Sequence, residues 1–246
     1  MNNKERSVAQ VITSIMDGPL LTFPQRNTEG KLLALMALGN PSFLVAQLDI
    51  CVTARMDELQ TVLSSTSLTQ AKYQGIALTN LACRTAAEKG VDDATIKSVS
   101  SSFSQRYATM TDPAGQWEVA RELLLRLSKE IRDHRLANCC SAVRECCEFI
   151  DQHFVSSISL DELSRHCGLS PHYISDLFRI ELGLGALQYA HQVKMQHAKF
   201  LLEYSSLGIS AIASMLSYPS HSNFSQRFKK TYDVTPQEYR TLFSKK

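Results

Sequence analysis

Glycine and proline are scarce in this chain of 246 residues, with 10 and 7 copies. That excludes a collagen-like repeat and argues against a β architecture built from many short strands and tight turns. A charge surplus is also missing: 26 Lys plus Arg stand against 24 Asp plus Glu, leaving +2. The molecule as a whole is therefore not a polycation that coats nucleic acid or anionic lipid, and any such binding has to come from a local patch. Long apolar runs are absent too. The longest, Leu32 to Leu38 and Phe43 to Ala46, fall far short of the roughly 20 residues of a membrane span. Met1 to Gln10 is polar and mixed in charge with no apolar segment behind it, so the expectation is no secretory leader and a cytoplasmic address. What is present is 44% hydrophobic and 20% charged residues, rich in helix formers and long enough for two domains with their own cores.

Seven cysteines (Cys51, Cys83, Cys139, Cys140, Cys146, Cys147 and Cys167) make an odd set, which argues against a disulfide framework and for reduced thiols. The doublets Cys139-Cys140 and Cys146-Cys147 resemble a metal cluster. On one helix, however, seven residues separate them by roughly 10 Å, and a single helix cannot wrap four thiolates around zinc at about 2.3 Å. Small buried apolar side chains are the expectation, with no metal and no cofactor; only a site shared between two chains stays open.

Residues 1 to 137 are expected to be consecutive helices. Val8, Val11, Ile12, Ile15 and Met16 keep a helical period up to Gly18-Pro19, and Thr28 can cap a helix through Leu38 that stops at Gly39-Asn40-Pro41. An apolar pattern runs from Phe43 towards Leu63. Ile76, Leu78, Leu81, Ala82 and Ala86 set a helix over 73 to 87 before Gly90, and Asp92 opens another through Ile96, Val99, Phe103 and Tyr107. Asp112-Pro113 supplies a cap and a first-turn proline to a helix bearing Trp117, Leu123, Leu124, Leu127 and Ile131. This half has one histidine, His134, no glycine-rich phosphate loop, no Gly-x-Ser-x-Gly elbow and no His-Glu-x-x-His, so a catalytic reading has nothing to stand on. An interaction or sensing bundle is expected instead. The charged stretch Lys129 to Arg135 leads to a boundary near residue 137.

From Ala142 the pattern changes to short helices broken by tight turns. Leu160, Leu163 and Cys167 form one apolar face, Gly168 breaks the helix, and Ser170-Pro171 starts the next, with Ile174, Leu177 and Phe178 inward. His172, Ser175, Asp176 and Arg179 then share the outward face, where a recognition helix displays residues to base edges. The arrangement repeats. Ile209, Ile212, Ala213 and Leu216 make a second first-helix face, Ser217 to Ser220 a turn, and Phe224 and Phe228 anchor a second reading helix. Its outward set is His221, Ser222, Asn223 and Gln226. A helix over roughly 186 to 204 joins the two units.

These residues carry a family resemblance. Leu160-Asp161-Glu162-Leu163, Gly168-Leu169-Ser170-Pro171-His172-Tyr173-Ile174-Ser175-Asp176-Leu177-Phe178, Asn223-Phe224-Ser225-Gln226-Arg227-Phe228-Lys229-Lys230 and Thr235-Pro236-Gln237-Glu238-Tyr239-Arg240 resemble the AraC/XylS transcription regulators over about residues 140 to 243. The resemblance implies a bipartite DNA-binding domain over 138 to 246, and with the helical N-terminal domain read over 1 to 137 the expected fold is all-α. Its two reading helices would enter successive major grooves about 34 Å apart. Base-edge contacts are expected from His172, Ser175, Asp176, Arg179, His221, Ser222, Asn223 and Gln226. Phosphate contacts are expected from Lys194, Arg227, Lys229, Lys230 and Arg240, the last of which could equally pair with a carboxylate or carbonyl inside the domain, with amides at the helix starts Ser170 and Ser220. The chain departs from the family in Lys194 for Arg, Ser217-Tyr218 for Gly-Phe, Asp233 for Gly, and Asp176 where Arg or Lys is common; a carboxylate there can accept from cytosine N4 but not hold guanine.

Charge divides the two units. From 138 to 185, Arg144, Arg165 and Arg179 face seven anions, a net of −4; from 186 to 246, eight cations face Glu203, Asp233 and Glu238, a net of +5. The second unit is expected to supply phosphate affinity, and the first sequence choice or a face towards RNA polymerase. The implied function is a DNA-binding transcription regulator, an activator, whose N-terminal half dimerises, senses an unidentified effector or touches another protein. Two alternatives are weaker. A DNA-repair alkyl acceptor needs a Pro-Cys-His-Arg nucleophile motif that the sequence lacks, and a co-regulator that has lost DNA binding rests on the acidic first unit and Asp176.

Overall fold

The computed structural model describes residues 28–49, 67–205 and 207–244. The helix read over Val8 to Met16, the continuation of the Phe43 pattern towards Leu63, and Cys51 lie outside the described residues. Every described element is a helix or a turn, in two compact units, one spanning Pro24–Asn138 and one holding Cys139 onward.

In the first unit, α1 (Thr28–Ala37) ends at Gly39, whose φ of 59° is the left-handed conformation glycine adopts without strain. Asn40 then accepts a hydrogen bond from the Phe43 amide at 2.9 Å and caps α2, residues 41–49. The helix expected from residue 73 starts five residues earlier: α3 is Leu68–Glu88, capped by Ser67 through the Gln70 amide. Asp92 caps α4 (Asp93–Thr109) through the Thr95 amide. Asp112 caps only a single 3-10 turn, Pro113–Gly115, before α5 (Gln116–Arg135) begins; such turns commonly start a helix. The charged stretch Lys129 to Arg135 is thus the end of α5. Helix α3 is the hub and packs on α1, α4 and α5. Gly75 makes the α3–α4 approach close enough that a Cβ there would lie 2.1 Å from the Tyr107 ring. That ring is fully buried, and burial pushes its phenol up to about 12.

The second unit is built round a central helix. It comprises α6 (Ser141–Gln152), α7 (Leu160–Cys167), α8 (Pro171–Leu182), α9 (Ala186–Tyr204), α10 (Ile209–Met215), α11 (His221–Tyr232) and α12 (Pro236–Ser244). Helix α9 packs on α6 and α8 on one side and on α10 and α12 on the other. It carries ten buried residues, among them Tyr189, Val193, Met195, Leu201 and Leu202. The apolar residues are spread round α9 rather than confined to one stripe, as a helix with packing partners on several sides requires.

Candidate nucleic-acid interface

Two helix pairs, α7–α8 and α10–α11, each set a short helix against a longer one. The first pair is fixed at both ends by local chemistry. Ser159 and Glu162 form a reciprocal capping box at the start of α7, and Gly168 at φ 65° turns the chain out of it. Ser170 caps α8 through the Tyr173 amide at 3.3 Å, and Pro171 occupies the first turn, where no amide donor is needed. Ile174 and Phe178 are buried, and the Phe178 ring meets Tyr189 of α9 edge-on at 5.8 Å. That anchorage turns the opposite side of α8 to solvent.

The exposed side of α8 is a charge ladder. His172 Nε2 lies 3.7 Å from Asp176 Oδ2, and Arg179 Nη1 lies 3.7 Å from Asp176 Oδ1. The structure therefore brings His172, Asp176 and Arg179 together, one turn apart, at the (i, i+4) and (i, i+3) spacings. Ser175 is half-buried, and its hydroxyl donates to the Pro171 carbonyl at 3.0 Å, so it stands beside the ladder with only its lone pairs to offer. Two residues of this side escaped the sequence reading. Tyr173 and Ile180 are 53% and 79% exposed, though apolar residues of a short helix are first assigned to a core. The signal was their position three and four residues from Asp176.

The second pair turns through Ser217, at φ 55°, and Ser220 caps α11 through the Asn223 amide at 3.1 Å. A row of rings seats α11: Phe224 lies 5.4 Å from Tyr218, and Phe228 lies 4.7 Å from Tyr232 and 5.5 Å from Tyr239. The Tyr239 hydroxyl is bonded to Glu203 of α9, and Thr235 and Glu238 form a second reciprocal cap at the start of α12. His221, Ser222, Gln226, Arg227, Lys229 and Lys230 are exposed, and Asn223 is half-buried. Asp233, at φ 62°, ends α11 where glycine is the strain-free choice.

Two of the expected phosphate contacts face inward. Lys194 Nζ donates to the Leu216 carbonyl at 2.9 Å and stands 5.8 Å from the centre of the Tyr218 ring, and burial lowers its ammonium to about 8. It braces α9 to the end of α10. Arg240 is half-buried, with Nε and Nη2 shielded from solvent and without a hydrogen-bond partner among the described residues, and desolvation lowers its guanidinium. Between α9 and the second turn, the Tyr218 hydroxyl pairs with His191 Nδ1 at 2.9 Å. Burial, then the cations Arg227, Lys194 and Lys230, hold His191 below its ordinary value. Among the described residues no group of three or more His, Cys, Asp or Glu could hold a metal ion, and no helix is long and apolar enough to cross a membrane.

The arrangement is two short helix pairs hung from one central helix, each presenting the solvent side of its second helix. Comparison with known proteins gives it a name, for a helix-turn-helix domain model matches residues 163–241. This part of the chain is an AraC-type helix-turn-helix domain. Over 100 residues the chain is 35% identical to the regulatory protein PocR of Salmonella typhimurium, covering 41% of this chain and 33% of PocR. An HTH-type transcriptional regulator of Staphylococcus aureus is 34% identical over 98 residues, 40% of this chain and 13% of that protein. The chain thus matches well under two thirds of the length of these relatives. Among solved structures, the C-terminal domain of AraT from Geobacillus stearothermophilus is similar at 30% identity, covering 42% of this chain and 86% of that one, with a TM-score of 0.41. The C-terminal domain of the response regulator yesN from Fusobacterium nucleatum is similar at 29% identity, covering 41% and 99%, with a TM-score of 0.39. The helix-turn-helix match falls within the second unit.

Proposed function

We propose that the chain is a DNA-binding transcription regulator of the cytoplasm, an activator whose AraC-type domain sets α8 and α11 into successive major grooves of one duplex. The carrying observation is the contrast between the two reading helices. Helix α11 exposes Arg227, Lys229 and Lys230 round a polar face of His221, Ser222, Asn223 and Gln226, whereas α8 exposes a carboxylate held between His172 and Arg179. Phosphate attraction scales with cations delivered to the backbone, and base discrimination with donors and acceptors delivered to the groove floor. On that division α11 supplies affinity. Helix α8 supplies choice through His172, Ser175, Asp176 and Arg179, with Asp176 set to accept from cytosine N4. The caps Ser170 and Ser220 leave backbone amides of each first turn facing outward for phosphate oxygens. Lys194 serves the domain from inside, tying α9 to the end of α10, and Arg240 is half-buried on α12. The domain over 138 to 246 does the reading; the helical domain over 1 to 137 supplies dimerisation, effector sensing or a protein contact, and RNA polymerase is the partner beyond DNA.

The test is to incubate the full chain with sheared DNA from its source organism, recover the bound fragments at moderate salt and sequence them. Enrichment of a short site with two contacted blocks about one helical turn apart is the expected result. Recovery of no duplex at any salt would overturn the reading and leave a co-regulator without DNA binding.

A further inference from the structure

Two of the cysteines face each other across helices. Cys146 of α6 and Cys167, the last residue of α7, bring their sulfurs within 2.7 Å. The two doublets do not share one helix as expected, since Cys139 and Cys140 precede α6, with Cys140 at its N-cap, and the close neighbour of Cys146 comes from the next helix, 21 residues on. A disulfide bond is about 2.05 Å long, so joining these atoms requires an approach of roughly 0.7 Å, within the give of two side-chain torsions. Access differs between the partners. Cys146 is 1% exposed, whereas Cys167 is half-buried beside Gly168, where α7 ends. The other thiols of this unit are placed differently: Cys139 and Cys147 are buried and Cys140 is exposed. A more accessible entry sulfur with a buried one behind it is the order that stepwise thiol–disulfide exchange requires.

We propose that Cys146 and Cys167 form an oxidative modification site whose co-substrate is a low-molecular-weight disulfide, and whose product is a bond tying α7 to α6. In the first step the Cys167 thiolate attacks one sulfur of the small disulfide RSSR, forming a mixed disulfide and releasing RS⁻. In the second the Cys146 thiolate attacks the Cys167 sulfur and expels the other RS⁻. The two protons lost by the protein thiols end on two RSH; the pair of cysteines is oxidised by two electrons and the small disulfide reduced by two. Burial holds both thiols above their ordinary value, so exchange is slow at neutral pH and quickens as pH rises. The bond fastens the helix beneath α8 without moving it, since the sulfurs already face each other. It closes a loop of about 20 residues and stiffens the first helix-turn-helix unit.

The experiment uses the reduced full chain, incubated with oxidised glutathione, alkylated and digested. The expected result is a peptide pair crosslinked between Cys146 and Cys167, absent from Cys167→Ser and from Cys146→Ala. A rise of about 10 °C in the melting midpoint of the wild type alone should accompany it. Circular dichroism of the two variants before oxidation separates loss of the partner thiol from loss of the fold. Three results would overturn the proposal: glutathione left on Cys167 with Cys146 still open to alkylation, both thiols untouched, or a crosslink through Cys140 instead.

Discussion

On arbitrary duplex, neutralising two lysines of α11 should cost far more binding than removing the one arginine of the α8 ladder. Lys229 and Lys230 are exposed on the last turn of α11. If each meets a backbone phosphate, the logarithm of affinity falls by about 0.9 per decade of salt for each contact, so Lys229→Gln with Lys230→Gln flattens the salt slope by about 1.8 and weakens binding roughly 30-fold at 0.15 M salt. Arg179 differs because its guanidinium already stands 3.7 Å from Asp176, whose other oxygen faces His172. Removing it takes away a charge that is partly offset, and Arg179→Ala should lose under about threefold on arbitrary duplex with an unchanged slope. On a selected site the same variant should lose a further increment of about 1–3 kcal/mol, the worth of one base contact. The assay is fluorescence anisotropy of a labelled arbitrary duplex and of a selected site, each titrated at four salt concentrations. Equal losses and equal slope changes for the α11 and α8 variants on the arbitrary duplex would refute the division of labour between the helices.

Three further outcomes follow from the packing. Gly75→Ala sets helix propensity, which favours alanine by about 1 kcal/mol, against a Cβ 2.1 Å from the buried Tyr107 ring; sterics should win by about 1–3 kcal/mol, lowering the denaturant midpoint, and an unchanged or raised midpoint would show that the α3–α4 approach is slack. Phe228→Ala removes a fully buried ring that touches Phe224, Tyr232 and Tyr239 and should destabilise the domain by about 3–5 kcal/mol, read as lost near-ultraviolet dichroism and lost DNA binding together; retained binding would mean that α11 does not depend on this aromatic row. Lys194 has a folded pKa lowered to about 8 by burial, against about 10.4 in an unfolded chain. Between those values the unfolded state binds more protons, so wild-type stability gains a component that grows from pH 8 towards pH 10, and Lys194→Met should flatten that gain in pH-stepped denaturation; identical slopes would place the ammonium in solvent.

How much could be read beforehand depended on whether the signal was local. Ser170-Pro171 and Asp92 announced their helices because caps and first-turn prolines act within four residues. Leu68, Thr69 and Gln70 did not, since Ser67 closes a run of serines and threonines any of which can cap, and no apolar period marks the first turn of α3. Asp112-Pro113 was legible as a start, but whether the first turn is 3-10 or α depends on the following Gly115 and on packing. The solvent faces of α8 and α11 were legible for the same local reason: once Ile174, Phe178, Phe224 and Phe228 are inward, helical period puts His172, Asp176, Arg179, His221 and Gln226 on the opposite side. The inward turn of Lys194 was not legible, because a cation says nothing of the carbonyl that tertiary contact brings to it. Leu216 lies 22 residues from Lys194 in the chain. The same long-range information was needed for the Cys146–Cys167 juxtaposition.

The central claim is that both helix-turn-helix units read one face of one duplex. Hydroxyl-radical footprinting of the full chain on its most enriched fragment tests it directly. The account predicts two protected blocks centred about 10 base pairs apart on the same face, with α11 variants weakening both and α8 variants weakening one. A single protected block, or protection round the whole circumference of the duplex, would contradict it.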